Sequence, residues 1–239
     1  MTQNPHKQSG FTLVELAIVM IIIGLLIGGI LKGQELIANA QLTATVAQIK
    51  GLDGALSTFR DKYSTLPGDM RSPSTRLRDC TAIPCSTAGN SNGRIDEPTT
   101  LGTAVGVGDE GLIAFTHMAA ADLISGVDIN GFAAFGSALP EAKIGGGFWI
   151  GFTANGNAQG VTGMRPGHYL VLNGLVASVS AGATSGITAT QAAQIDRKMD
   201  DGRADAGDVQ ATGSQCVNGQ DYQEAETTAS CSIYIRVQS

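Results

Sequence analysis

The sequence predicts an α+β protein in which a long N-terminal α-helix packs on a globular head that contains an antiparallel β-sheet. Two features of the N-terminal part support the helix: an apolar run and, directly after it, a stripe of apolar residues at helical spacing. Further along the chain, glycine-bounded stretches of aromatic and β-branched residues indicate strands. The order helix, strands, helix, strand favours an antiparallel sheet laid on the long helix.

The composition of the 239-residue chain narrows its class. A net charge of −6 and a pI near 5.0 leave no domain-sized basic surface for nucleic-acid phosphates. Only 15 % of the residues are charged and 32 are glycine, which suits an extracytoplasmic head better than a cytosolic enzyme. The sequence has no H-E-x-x-H or G-x-S-x-G motif, so we predict no enzyme and no catalytic residues.

The N-terminal apolar segment is long enough to cross a membrane. From Leu16 to Leu31 every residue is apolar or glycine, and with Phe11 to Glu15 the stretch reaches about 20 residues, which as a helix spans a ~30 Å hydrocarbon core. Glu15 lies just inside this stretch. A plain membrane anchor gives that carboxylate no purpose and places it there at a cost of about 1 kcal/mol or more.

The stretch Gly10-Phe11-Thr12-Leu13-Val14-Glu15-Leu16 resembles the processing site of type IV prepilins and type II secretion pseudopilins. The resemblance implies that a prepilin peptidase cuts after Gly10 and that the new N-terminus, Phe11, is methylated. It also implies that Glu15 faces the terminal amine of an adjoining subunit in the filament. Physical chemistry agrees, because opposite charges about 4 Å apart and shielded from water attract by several kcal/mol, whereas either one alone is penalised.

The resemblance also implies partners and a location. The partners are a prepilin peptidase/methyltransferase, other pilin or pseudopilin subunits, an inner-membrane assembly platform and, before assembly, membrane lipid. The protein is expected in the bacterial inner membrane as a single-pass chain with its head outside the cytoplasm, and then in a pilus or periplasmic pseudopilus. Nucleic acid is expected only through a DNA-uptake pilus.

Two other interpretations of the N-terminal segment stay open. It fits a secretory signal peptide, with Lys7 as the positive region and a cut after Ala40 in the Ala38-Asn39-Ala40 site. It also fits a plain anchor. Both would give a secreted or membrane-anchored binding domain that depends on calcium if a metal site exists.

The helix continues beyond the apolar run and ends at a clear stop. Apolar residues at steps of three and four form one stripe, and the turn at Pro67-Gly68 ends it. The glycines between Gly24 and Gly33 mark the place where a filament helix would be weakest. The stripe consists of Leu42, Val46, Ile49, Leu52, Leu56, Phe59 and Tyr63.

The predicted parts of the chain are a leader at 1–10, a membrane or filament-core helix at 11–31, an amphipathic helix at 32–66 and a head at 67–239.

The head is predicted to hold two more helices and three strands. A helix covers residues 109–124, and a Thr188-Ala-Thr-Gln191 capping box opens another that ends near Gly202. Strands are predicted at 146–154 and 167–175, as an antiparallel pair, and at 231–239. His117 and Trp149 are expected in the core.

The four cysteines fall into two close pairs, Cys80 with Cys85 and Cys216 with Cys231. Outside the reducing cytosol this even number predicts two local disulfides. The second pair also resembles the C-terminal disulfide-bounded loop of type IV pilins, where adhesive contacts often lie. The three histidines are scattered, and neither cysteine pair is C-x-x-C, so the pattern does not favour zinc.

Calcium is the one cofactor for which the sequence offers candidate ligands; otherwise none is predicted. Residues 88–97 are an imperfect EF-hand-like loop, with Asn90, Asn92 and Asp96 as oxygen ligands but without the first and last carboxylates. A second acidic loop carries Asp200, Asp201 and Asp205 in a segment that resembles Asp-Asp-Gly segments of some pilin-like heads. A solvated turn is the competing interpretation for both loops.

Overall fold

The computed structural model describes residues 12–96, 101–103, 105–174 and 186–237. The chain forms two compact units that divide between Ala40 and Gln41. The predicted leader, including Gly10, and the predicted N-terminal residue Phe11 lie outside the described residues.

Helix α1 runs from Leu13 to Tyr63, and no proline interrupts it. In the first unit its side chains are almost all exposed; in the second, it buries one face. The predicted stripe is confirmed, because every member from Leu42 to Phe59 is buried and Tyr63 is half-buried.

A tight turn follows α1. Gly68 has φ +87°, and a Cβ atom there would lie 2.4 Å from the carbonyl oxygen of Glu110. Both the left-handed backbone and the close approach therefore require glycine. A short helix that sequence analysis did not predict, α2 (Pro73–Arg76), comes next.

The head contains two further helices. Helix α3 spans Glu110–Ala120 and ends four residues earlier than predicted, because Asp122 takes φ 59° and the Leu123 amide donates to the Met118 carbonyl, a Schellman-type ending. Helix α4 spans Ala189–Met199 and starts with the predicted Thr188–Gln191 capping box.

The main sheet has four antiparallel strands. In chain order they are β1 (Gly147–Thr153), β4 (Gly167–Asn173), β5 (Val209–Thr212) and β8 (Ser232–Val237), arranged as β1-β4-β8-β5. The predicted antiparallel pairing of the first two is confirmed, with Trp149 opposite Val171. Two short hairpins, β2 (Asn157–Ala158) with β3 (Val161–Thr162) and β6 (Val217–Asn218) with β7 (Asp221–Tyr222), complete the head.

One hydrophobic cluster joins the buried face of α1 with α3, α4 and the main sheet. Trp149 and His117 are both buried in the head, as predicted. The sequence therefore predicts the fold class, α+β with a long N-terminal helix and an antiparallel sheet, and the structure has it.

Candidate functional site

The N-terminal end of α1 carries a reciprocal capping box. The Glu15 carboxylate accepts hydrogen bonds from the Thr12 amide and the Thr12 hydroxyl, each at 2.9 Å. The Glu15 amide in turn donates to the Thr12 hydroxyl at 3.2 Å, and the Thr12 carbonyl accepts the first helical bond from Leu16. Thr12-x-x-Glu15 is the known signature of this cap, a signal that sequence analysis overlooked.

Among the described residues, the apolar side chains at both sides of Glu15 and along the rest of the first unit are exposed. Leu13, Leu25, Ile30 and Leu31 are each more than half exposed. A Cβ atom added to any of the four glycines in this part of the helix would have no neighbour within 4 Å; these are Gly24, Gly28, Gly29 and Gly33. By length and composition this part of α1 can cross a membrane. Such an exposed apolar surface needs lipid or other subunits to cover it.

Both predicted disulfides are present. Cys80 bonds Cys85, and Cys216 bonds Cys231, which closes a loop that contains the β6–β7 hairpin. His117 lies beside the first disulfide: its Nδ1 accepts from the Gly68 amide at 3.0 Å, and its Nε2 is 2.9 Å from the Cys85 carbonyl oxygen. Because Nδ1 accepts, the proton is on Nε2, which donates to Cys85. Burial lowers the pKa of His117 to about 4, which keeps the ring neutral.

The first predicted calcium loop closes on itself. The structure brings Asn90, Asn92 and Asp96 together, with the two side-chain amides donating to Asp96 at 3.3 and 2.7 Å. The side-chain oxygens of the two asparagines accept from the Asn92 and Arg94 amides. The arrangement is that of an Asn-Gly turn.

Three buried side chains that sequence analysis missed hold residues 89–96, here called the 89–96 loop. Glu110, only 1 % exposed, accepts from the amides of Asn90 and Asp96 at 3.0 and 3.1 Å. Asp69, only 2 % exposed, accepts from the amides of Asn92 and Gly93 at 3.0 and 2.8 Å. The third is His168, whose Nε2 accepts from the Ile95 amide at 3.0 Å.

Burial shifts the pKa values of two of these side chains in opposite directions, upward for the acid Glu110 and downward for the base His168. The pKa of Glu110 is raised to about 7, chiefly by burial; the two amide hydrogen bonds act against this rise, and the nearby Asp69 and Asp96 carboxylates contribute to it. Burial lowers the pKa of His168 to about 4, with help from Arg60 and Arg94 and against Asp96. Both shifts favour the neutral side chain.

The second acidic loop only partly matches its prediction. Asp200 and Asp201 come together, but their third neighbour is Asp196, with carboxylate oxygens of all three within 4.8 Å of one another. Asp205 instead lies 3.4 Å from Arg203. Asp196 is buried at the end of α4, where it accepts from the Gly202 amide at 3.1 Å and the Tyr222 hydroxyl at 2.8 Å. The pKa of Asp196 is raised to about 6, chiefly by burial; its hydrogen bonds from Tyr222 and Gly202 act against this rise, and Asp201 and Asp200 contribute to it.

Comparison with known proteins assigns the N-terminal segment. Residues 5–31 match the family described as the prokaryotic N-terminal methylation motif. The motif is consistent with a type IV pilin-like protein and supports the type IV pilin and pseudopilin-like class; it confirms the resemblance seen at Gly10 to Leu16. No curated protein and no solved structure matches the chain at a significant level.

Proposed function

We propose that this chain is a structural subunit of a type IV pilus or of a type II secretion pseudopilus. In this role it is cut after Gly10, methylated on Phe11 and assembled into a filament through its N-terminal helix. The role is structural and assigns no catalytic step to the chain. The head that follows α1 favours a minor or specialised subunit.

The match of residues 5–31 to the N-terminal methylation motif carries this proposal. The exposed apolar surface of α1 supports it, because a helix with that surface is stable in lipid before assembly and against other subunits afterwards. In the proposed sequence of events the precursor spans the inner membrane once, with its head outside the cytoplasm. A prepilin peptidase/methyltransferase and an inner-membrane assembly platform then act on it.

Glu15 has two proposed partners at two stages. In the single chain its carboxylate is satisfied by Thr12. In the filament we propose that it pairs with the methylated amine of Phe11 on a neighbouring subunit. A pair of opposite charges shielded from water is stabilising only when both members are present, so it favours subunits stacked in register.

Mass spectrometry of the native N-terminus tests the processing step. The expected first residue is methylated Phe11. A chain that keeps residues 1–10, or that begins at Gln41, would contradict the proposal. A Gly10 substitution that abolishes the methylated product provides the control.

A second candidate function is a secreted or membrane-anchored binding domain that uses Ca²⁺. The observation that favours it is the group of Asp196, Asp200 and Asp201, because hard oxygen ligands in a loop suit calcium. The division of the chain at Ala40 also coincides with the signal-peptide cut considered above. An N-terminus at Gln41 together with Ca²⁺-dependent stability would select this candidate.

A further inference from the structure

A cavity of about 490 Å³ beside the C-terminal end of α1 is lined by three arginines. Arg60 comes from α1, Arg71 from the loop that follows, and Arg76 from α2. All three are exposed, and the residues Ser64 and Ser72 add hydroxyl groups to the lining. The volume is in the usual range of small-ligand sites, roughly 300–1,000 Å³.

The arginines of the head fall into two groups. Five of them form salt bridges with carboxylates: Arg78, Arg165, Arg197, Arg203 and Arg236. Among the described residues, Arg60, Arg71, Arg76 and Arg94 form none. In a chain with 21 acidic and 15 basic residues, this local group of arginines without carboxylate partners creates a positive surface that the overall composition hides.

The carboxylates near the cavity are already engaged with the 89–96 loop. Asp69 lines the cavity, but it is buried and both its oxygens accept backbone amides, from Asn92 and Gly93. Asp96 is half-buried and accepts the side-chain amides of Asn90 and Asn92. These two acids therefore support the wall of the cavity through their hydrogen bonds, and among the described residues neither forms a salt bridge with its arginines.

Two of the guanidinium groups are held in place by aromatic rings. Arg76 donates to the Tyr63 carbonyl, which caps α1, and lies 5.8 Å from the Tyr63 ring centroid. Arg94 lies 4.8 Å from the Phe152 ring centroid and lines a second cavity of about 580 Å³ that shares Gly93 with the first. Among the described residues, the side chains of Arg60 and Arg71 have no hydrogen-bond acceptor, so their donors are available to a ligand.

We propose that this cavity binds a phosphate-bearing anion, with Arg60 and Arg71 as the primary contacts, Arg76 also in its lining and Arg94 in the neighbouring second cavity. A guanidinium group presents paired N–H donors that match the oxygens of phosphate, and such charge-assisted bonds are stronger than neutral ones. The second cavity gives room for the remainder of a larger phosphorylated ligand.

Isothermal titration calorimetry on the full-length protein in neutral detergent micelles at low salt tests this site. The probes are inorganic pyrophosphate and glycerophosphoglycerol, the soluble phosphodiester of a lipid headgroup. Pyrophosphate is expected to bind saturably, and the Arg60→Gln/Arg71→Gln double variant is expected to bind it more than about tenfold less tightly. Binding of pyrophosphate alone indicates a soluble phosphate compound; binding of glycerophosphoglycerol as well indicates a lipid headgroup.

The matched control is Arg78→Gln/Arg203→Gln, which removes the same charge from two arginines outside both cavities. It is expected to bind pyrophosphate within about twofold of wild type, since only long-range attraction is lost. Arg71→Lys should restore part of the affinity lost in Arg71→Gln. Absence of saturable binding by either probe, or an equal loss in the control, overturns the proposal. Pyrophosphate binding needs neither processing nor assembly, so the result is independent of the proposed filament role.

Discussion

The Glu15 carboxylate accepts two hydrogen bonds from Thr12, one from its amide and one from its hydroxyl, each at 2.9 Å. A side chain that would be costly in lipid as an isolated charge therefore has a partner within its own chain. Capping of α1 and the proposed pairing with a neighbouring subunit would be two separate roles for the same carboxylate, and substitutions can separate them.

Glu15→Gln is expected to keep the cap and lose filament assembly. Glutamine serves at the third position of a capping box, so α1 still starts at the same place, but the charge that would pair with Phe11 is gone. Glu15→Val should assemble equally poorly, whereas Thr12→Ala, which removes a cap worth about 1 kcal/mol, should assemble nearly as wild type. The measurement is the fraction of processed protein recovered in sheared filaments. Normal assembly of Glu15→Gln would show that capping alone is the role of Glu15.

His168 is expected to make the head less stable in acid. Its pKa is lowered from 6.5 to about 4 in the folded state, so between these values the unfolded chain binds the additional proton. The stabilisation is complete above pH 6.5 and is lost as the pH falls toward 4, and it amounts to on the order of 3 kcal/mol. Chemical unfolding followed by the near-UV signal of Trp149 measures it.

The comparison with His168→Gln isolates this contribution. Glu110 and Asp196, whose pKa values are raised, lose stabilisation as the pH rises and so oppose the histidine, but they are the same in both proteins. The difference in unfolding free energy between wild type and variant should shrink from pH 6.5 to 4. A difference that stays constant across this range would mean that His168 does not titrate as described.

The two disulfides are expected to contribute unequally to stability. Cys216 and Cys231 are 15 residues apart, and closing such a loop contributes about 3 kcal/mol in the chain-entropy model. Cys80 and Cys85 are 5 residues apart, which gives about 2 kcal/mol in the same model. Denaturant unfolding of Cys216→Ala/Cys231→Ala and Cys80→Ala/Cys85→Ala measures both. A larger loss for Cys80→Ala/Cys85→Ala would show that packing beside His117 outweighs loop length.

Calcium binding, if it occurs at the second acidic loop, should depend on Asp201 and not on Asp205. Asp201 belongs to the group with Asp196 and Asp200, whereas Asp205 pairs with Arg203. Millimolar Ca²⁺ should raise the melting temperature of wild type and of Asp205→Asn, and raise that of Asp201→Asn much less. The effect should also weaken below about pH 6, where Asp196 takes up a proton that competes with the metal. An unchanged wild-type melting temperature would exclude the site.

Two substitutions on α1 should change stability in opposite directions. Leu56 is completely buried, so Leu56→Ala should destabilise the head by about 2–5 kcal/mol. Gly54 is exposed two residues away, and an added Cβ there meets nothing within 4 Å, so Gly54→Ala should stabilise it by up to about 1 kcal/mol. Thermal unfolding of the two variants checks both signs. Equal effects would show that α1 does not pack on the head as described.

Local sequence signals predicted the elements whose stability is largely local. The stripe from Leu42 to Phe59, the Thr188–Gln191 cap and the β1–β4 pair were all predicted from spacing or residue type. Strand β5 was not, because Val209-Gln-Ala-Thr212 is short and only its pairing with β8 defines it. The end of α3 was placed too late because Asp122, not a glycine, adopts the left-handed conformation.

The sequence by itself determined the N-terminal helix, the methylation motif, the class of fold and the two disulfides, because periodicity, apolar length and close spacing act over short distances. Only the tertiary structure decided which polar groups meet. Glu110, Asp69 and His168 converge on the 89–96 loop from separate parts of the chain, and Asp196 takes the place predicted for Asp205. The arginine cavity likewise forms from α1, its following loop and α2. Contacts between distant segments depend on how the chain packs, which no local pattern specifies.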